Sequence, residues 1–273
     1  MNPTTSASIA SPDKRLVARS FGSAAPSYDA VANLQRSVGM NLLESWPVTG
    51  VNGCVLDVGA GTGYFSRILS ERYSDAHIIA VDIAEGMLRH ARKQFSGDCV
   101  GGDAEALPLA KGSVELIYSN LAIQWCAHPL TIFREFQRVL KPGGALFFST
   151  FGPRTLVELR RAWGRVDAKS HVIEFVEAEA IECSLNEAGF TDIEIGVSVR
   201  ELEYADVMSL MRELKGLGAR NLTQARPRHL TSKGAMAKMM AAYPCRNSGN
   251  SASVSASFEV IVGSAKLPRA GYI

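Results

Sequence analysis

Along the chain, apolar and polar positions sort into short solid runs separated by amphipathic stretches. Residues 54–58, 77–81, 114–119 and 145–150 are the solid runs. Their length and boundaries read as strands buried on both faces. Between them, residues 64–72 and 130–140 follow helical spacing, and Ile132, Phe133, Phe136, Val139 and Leu140 mark the buried side of the second. Strand–helix alternation of this kind predicts a parallel sheet. Upstream, Ala30, Leu34, Val38 and Leu42 recur every four residues and predict a helix over 30–46 that packs on the core. Residues 1–11, rich in Ser, Thr, Ala and Pro, read as a mobile tail.

After Thr150 the pattern changes. Phe151-Gly152-Pro153 breaks the strand, and residues 154–169 read as an extra basic helix. Residues 177–188 read as a helix, 191–204 as an alternating strand, and 206–215 as a helix closed by Gly216-Leu217-Gly218. Another helix is expected over 232–243, a polar Ser/Asn/Gly loop over 246–257, and a last strand over 258–264. The order predicts an α/β fold, doubly wound and Rossmann-like, with a seven-stranded sheet whose final strand is antiparallel. Residues 1–20 would be a flexible tail, 21–50 cover helices and 51–273 the main domain, with helical lid insertions near 152–175 and 205–250.

The first strand runs into Gly59-Ala60-Gly61-Thr62-Gly63, and the second ends at Asp82. Glycines in such a turn accept positive φ and leave no β-carbon in a ligand's way. An acidic residue at the second strand's end holds both hydroxyls of a ribose. A dinucleotide fingerprint needs Gly or Ala at position 64, where this chain has Tyr64. Asp57 inside the motif would repel a pyrophosphate, so a cofactor with a cationic ammonium and no phosphate fits better. This stretch resembles motif I of the class I S-adenosylmethionine methyltransferases. Gly101-Gly102-Asp103-Ala104-Glu105-Ala106-Leu107-Pro108 resembles their adenine-side motif, and Lys141-Pro142-Gly143-Gly144 their motif III turn.

Composition narrows the field without naming a substrate. Net charge is +2, with 29 basic and 27 acidic residues, too balanced for wholesale nucleic-acid binding. Five cysteines without a C-x-x-C pair and five histidines without an H-x-x-x-H pair indicate neither a disulfide framework nor a metal site. With no membrane-length apolar run and no signal-peptide core, a cytoplasmic protein, expected to be a monomer, is the reading. Residues 207–246 hold eight basic residues (Arg212, Lys215, Arg220, Arg226, Arg228, Lys233, Lys238 and Arg246) against Glu213 alone. Such a stretch is either a solvated helix face or a surface for a small acidic partner.

A narrower resemblance lies in Ser119-Asn120-Leu121-Ala122-Ile123-Gln124-Trp125-Cys126, in Phe148 to Gly152, in Ala162-Trp163 with Val166-Asp167, His171 and Phe175, and in Arg212-Glu213-Leu214-Lys215-Gly216-Leu217-Gly218-Ala219. These are similar to the malonyl-acyl-carrier-protein O-methyltransferases that begin pimelate synthesis for biotin. Departures lie in the Ser-rich residues 243–257 and in Phe258, where that family suggests a Tyr. The resemblance implies methylation of the free malonyl carboxylate, with S-adenosylmethionine as donor, S-adenosylhomocysteine as product and no metal. It places Asp57, Gly59, Gly61 and Gly63 at the methionine moiety, Asp82 and Ile83 at the ribose, Asp103 and Ala104 at adenine, and Asn120 beside the sulfonium. Tyr28 and His171 become catalytic candidates, although either one also reads as a packing residue. Gln124, Trp125, Phe175 and Lys215 become substrate candidates, with Lys215 facing an acyl-carrier protein. Methylation of another small acid or of a quinone precursor, and cofactor binding without turnover, are the competing expectations.

Overall fold

A computed structural model describes residues 12–126, 128–219, 221–222, 231–248 and 251–269. Asp13 opens α1 (Lys14–Val31) by accepting hydrogen bonds from the backbone N–H groups of Arg15 and Leu16 at 3.0 and 3.2 Å, which satisfies donors that a helix start leaves unpaired. Residues 14–20, expected in the tail, are therefore helical, while residues 1–11 lie outside the described residues. The single helix expected over 30–46 is interrupted at Ala32, where ψ is 33°, and resumes as α2 (Asn33–Ser45).

The alternation then proceeds as β1 (Cys54–Val58), α3 (Tyr64–Arg72), β2 (His77–Asp82), α4 (Glu85–Ala91), β3 (Asp98–Gly101), β4 (Val114–Asn120), α5 (Pro129–Val139) and β5 (Leu140–Phe151). Pro129 begins α5, where a missing N–H costs nothing, and Ile132, Phe133, Phe136 and Val139 are buried as expected. Leu140 starts the next strand instead of closing that helix. The remaining elements are α6 (Val157–Gly164), α7 (Ala178–Glu187), β6 (Thr191–Tyr204), α8 (Val207–Gly216), α9 (Lys233–Ala242), β7 (Cys245–Ser248) and β8 (Ser251–Lys266). The helix expected over 154–169 shrinks to α6.

Seven strands lie in the order β3-β2-β1-β4-β5-β8-β6, and β7 pairs with β8. Strands β1 to β5 pair in parallel, whereas β8 runs antiparallel to β5 and β6. Alternate side chains of β1 serve opposite faces. Leu56 and Val58 join Phe133, Phe136 and Leu185 on one side; Val55 joins Leu42, Phe65 and Leu69 on the other. The loop expected over 246–257 is instead a hairpin, β7 with the start of β8. That start runs past β5 as a ribbon with β6 and β7. A separate cluster forms on it, joining Leu159 and Trp163 of α6, Val207 and Leu210 of α8, Met239 of α9, and Val254, Ala256 and Phe258. Helix α6 of the first segment expected to be a lid, and α8 and α9 of the second, are thus built onto the strand ribbon.

Candidate functional site

Strand order reverses between β1 and β4, and a doubly wound sheet opens a crevice at such a point beyond its carboxyl edge. The glycine turn follows β1 there. Its backbone is tied to β2 by Gly59 and Ala60, whose N–H groups donate to the Val81 carbonyl at 2.8 and 3.1 Å. Gly59 has φ 73°, and a β-carbon on it would stand 2.3 Å from Cβ of Ala122. Gly61 has φ 57° and open space where a β-carbon would project, the cradle a ligand needs. Gly63 does not line the cleft. It begins α3 with φ 83°, and a β-carbon on it would press on Ala91 at 2.9 Å, so its role is helix packing rather than the cofactor contact expected of it.

Asp82 stands at the end of β2 with each carboxylate oxygen held: Gly61 N–H donates to one at 2.9 Å and Ala84 N–H to the other at 2.7 Å. Burial raises its pKa, and these two hydrogen bonds oppose the rise. The fixed carboxylate keeps lone pairs for a diol. Around it, one cavity is lined by Tyr28, Gly59, Gly61, Ile83, Asp103, Ala104, Asn120 and Trp125 among others. Asp103 accepts the backbone N–H of Glu105 at 3.0 Å and pairs with Lys14 of α1 at 2.5 Å; Lys14 also pairs with Glu105. The cation thus straps α1 across the Asp103 end of the cavity.

Beyond Tyr28 the cleft continues as a small recess lined by Asp29, Gln35, Arg36, Asp57, Gly59, Gly61 and Asn120. Asp57 is 2% exposed, accepts Ser66 Oγ–H at 2.6 Å, and is pushed up to about 7 by burial, with the Asp82 charge adding to the shift. Arg36 lies over the Tyr64 ring at 4.8 Å and pairs with Asp29 at 3.3 Å, while its Nε is buried without a partner. The Gln35 side-chain oxygen is likewise buried without one. Such atoms cost free energy unless something fills them. A ligand with a carboxylate and an ammonium suits this donor, acceptor and acid set.

A second cavity, of about 540 Å³, opens between α2, the β4 end and the ribbon helices. Gln35, Gln124, Trp125, Trp163, His171, Phe175, Phe258, Arg212 and Lys215 are among its lining residues. Gln124 is fixed by donating to the Leu121 carbonyl at 2.6 Å and accepting Thr150 Oγ1–H at 3.2 Å. His171 stacks on Trp163 with ring centroids 3.8 Å apart and contacts Asp167 at 2.9 Å. Trp125 belongs to both cavities and meets Phe21 edge-on at 5.2 Å. Asn120 is held by Ser149 Oγ–H at 2.7 Å and donates to the Gln35 carbonyl at 3.0 Å. Next to it, Leu121 takes φ 49°, a left-handed backbone that turns the chain from β4 into the cavity wall.

Of the residues expected from sequence, Tyr28, Gly59, Gly61, Asp82, Ile83, Asp103, Ala104 and Asn120 meet in the first cavity. Gln124, His171, Phe175 and Lys215 meet in the second, with Trp125 between the two. Tyr28 and His171 therefore line different compartments. Lys14, Gln35 and Arg36 were missed. The run Leu34-Gln35-Arg36 carries two polar residues beside a buried Leu on a predicted core helix, which was the available signal. Arg220, Arg226 and Arg228 lie outside the described residues. Among the described residues no group of three His, Cys, Asp or Glu is placed to hold a metal ion, and no helix is long and apolar enough to cross a membrane.

Residues 56–148 match the family model described as a methyltransferase domain. A malonyl-[acyl-carrier protein] O-methyltransferase of Methylococcus capsulatus is 49% identical, with 92% of each chain covered. One of Halorhodospira halophila is 43% identical over 97% of this chain and 90% of its own. The biotin biosynthesis bifunctional protein BioHC of Cellvibrio japonicus is 45% identical over 85% of this chain and 46% of its own. Among solved structures, the YcgJ protein of Bacillus subtilis superposes with a TM-score of 0.60 at 16% identity, covering 86% of this chain and 99% of that one; it shares the fold.

Proposed function

The chain belongs to the malonyl-[acyl-carrier protein] O-methyltransferase family, and from that membership we propose that it transfers the methyl group of S-adenosylmethionine to the free carboxylate of a malonyl thioester on an acyl-carrier protein. The product is the malonyl methyl ester, and the role is the opening step toward the pimeloyl chain of biotin. The observation that carries this reading is the pair of cavities meeting at Trp125. One holds the features of a nucleoside and an amino acid; the other is largely apolar with a basic edge.

S-adenosylmethionine supplies an electrophilic methyl group on a sulfonium, and S-adenosylhomocysteine is what remains. The chain's own residues bind and align. Asp82 and Ile83 take the ribose, and Asp103 and Ala104 the adenine. Gly59, Gly61 and Asp57 surround the methionine end, with Arg36 for its carboxylate. Asn120, tied on both sides, lines the same cavity and stands beside the sulfonium. A malonyl carboxylate is ionised at neutral pH, so no general base is needed. What it needs is alignment and exclusion of water.

Tyr28 supplies alignment. Burial, with the charges of Asp82 and Asp29, holds its hydroxyl above the ordinary tyrosine pKa, so at neutral pH it is a donor to an oxyanion. Gln35, Gln124, Trp125 and Phe175 shape the acceptor end, with His171 held by Trp163 and Asp167 as a further donor. The described parts of the segments near 152–175 and 205–250 are read as its lid, and Lys215 as facing the carrier protein. The working form is read as a cytoplasmic monomer that needs no metal. Methylation neutralises a charge that an apolar tunnel would otherwise exclude.

The test compares malonyl-carrier protein with acetyl-carrier protein, each incubated with S-adenosylmethionine and weighed intact. The malonyl form should gain one methyl group and the acetyl form none. Equal gain on both, or none on either, would contradict the reading.

A further inference from the structure

Helix α1 divides two spaces. Lys14, Val17, Phe21 and Tyr28 face the cofactor cavity, while Leu16, Arg19, Ser20, Ser23 and Ser27, on the adjoining stripe, face an open groove against α8. The far wall of that groove carries Arg212 and Lys215, and these two also line the acceptor cavity. Groove and cavity therefore adjoin at these two side chains. Arg19, Arg212 and Lys215 are exposed, and no Asp or Glu is among the described residues that line the groove. Of the acids on and beside α8, Glu213 accepts Tyr204 O–H at 2.8 Å, and Asp206 accepts the N–H and hydroxyl of Ser209 and pairs with Arg212 at 3.8 Å.

The C-terminal end of α8 would ordinarily repel an anion through its free carbonyls. Here hydroxyls of α1 cover them. Ser20 donates to the Gly218 carbonyl at 2.9 Å, and Ser27 shares its hydroxyl proton between the Gly216 carbonyl at 3.2 Å and the Ala24 carbonyl at 3.1 Å. Arg19 and Lys215 then set the sign of the potential in the groove.

We infer that this groove between α1 and α8 binds the phosphodiester of the carrier protein's phosphopantetheine arm, with Arg19 and Lys215 gripping it from opposite walls and Arg212 at the entrance to the acceptor cavity. The inference rests on the proposed malonyl-carrier function. Charge complementarity and the shared wall with the acceptor cavity argue for it: an arm that carries its carboxylate to Trp125 lies with its phosphorylated end toward these cations. Helix α1 then reads cofactor on one stripe and acceptor on the next.

The experiment uses the full chain and its Arg19→Gln variant, with malonyl-carrier protein, malonyl-CoA and malonyl-pantetheine as acceptors. The last lacks the phosphate. The variant should raise KM roughly tenfold for both phosphorylated acceptors, the loss of one charge-assisted hydrogen bond, and raise it far less for malonyl-pantetheine. S-adenosylmethionine affinity, read by calorimetry, shows that the variant is folded. An equal rise for all three acceptors, no rise for any, or a rise confined to the carrier protein would overturn the phosphate assignment. Failure of the unaltered chain to methylate any malonyl thioester would instead overturn the function on which the inference rests.

Discussion

Asp57 is the residue whose chemistry is most exposed to test. Burial pushes its carboxyl up to about 7, so near neutrality the empty cleft holds a mixture of protonated and ionised forms. A cationic ammonium beside it favours the ionised form and expels the proton. S-adenosylmethionine affinity should therefore rise with pH, by up to about tenfold per pH unit below 7, and level off above it. In Asp57→Asn that dependence should flatten. Calorimetry in buffers of different ionisation heat would count the proton released; a flat profile in the unaltered chain would place the ammonium elsewhere.

Asp57, Asp82 and the glycine turn were legible because strand, turn and acid stand at fixed spacings. Gln35 and Arg36 were not, because their meaning comes from burial. In the sequence they are two polar residues on an amphipathic helix, and only the fold makes Gln35 Oε1 and Arg36 Nε buried atoms without partners. Gly63 shows the opposite error. It shares a motif with Gly59 and Gly61, yet it packs against Ala91 while Gly61 opens to the cleft.

Among elements, α1 decides whether the cofactor compartment is covered. It crosses α4 at a glycine pair so close that a β-carbon on Gly86 would fall 2.5 Å from the Gly22 carbonyl oxygen and 2.7 Å from its Cα. Both are backbone atoms, which no rotamer change can move aside. Alanine favours an isolated helix over glycine by about 1 kcal/mol, so Gly86→Ala leaves α4 intact and pushes α1 away. The dissociation constant for S-adenosylmethionine should rise roughly tenfold, as one to two kcal/mol of cover contacts are lost, while the circular dichroism of the sheet is kept. An unchanged constant would show that α1 does not close the site.

The hairpin of β7 and β8 was misread for a related reason. Its serines and asparagine suggest a loop, but Val254, Ala256, Phe258 and Val260 alternate with polar residues and are buried. That period of two was the better signal. The polar side has partners too: Ser257 Oγ–H donates to Glu158 at 2.5 Å, and the backbone carbonyl of Ser255 accepts Tyr243 O–H at 2.8 Å.

At the scale of the molecule, the methyltransferase core and the ribbon carrying α6, α8 and α9 contribute one compartment each. The parallel sheet followed from alternation alone. The acceptor cavity did not, because it is assembled from segments far apart in sequence: α2, the β4 end, residues 151–175 and α8. On the proposed function, a methyl group passed into it ends on a carboxylate oxygen, which has a chemical consequence. The direct measurement is the fate of labelled methyl from S-adenosylmethionine after reaction with malonyl-carrier protein and mild alkali. Label should be released as methanol, the signature of a carboxyl ester, in step with loss of label from the carrier. Label that stays on the acceptor through alkali would mean a carbon or nitrogen acceptor, and would contradict the proposed function.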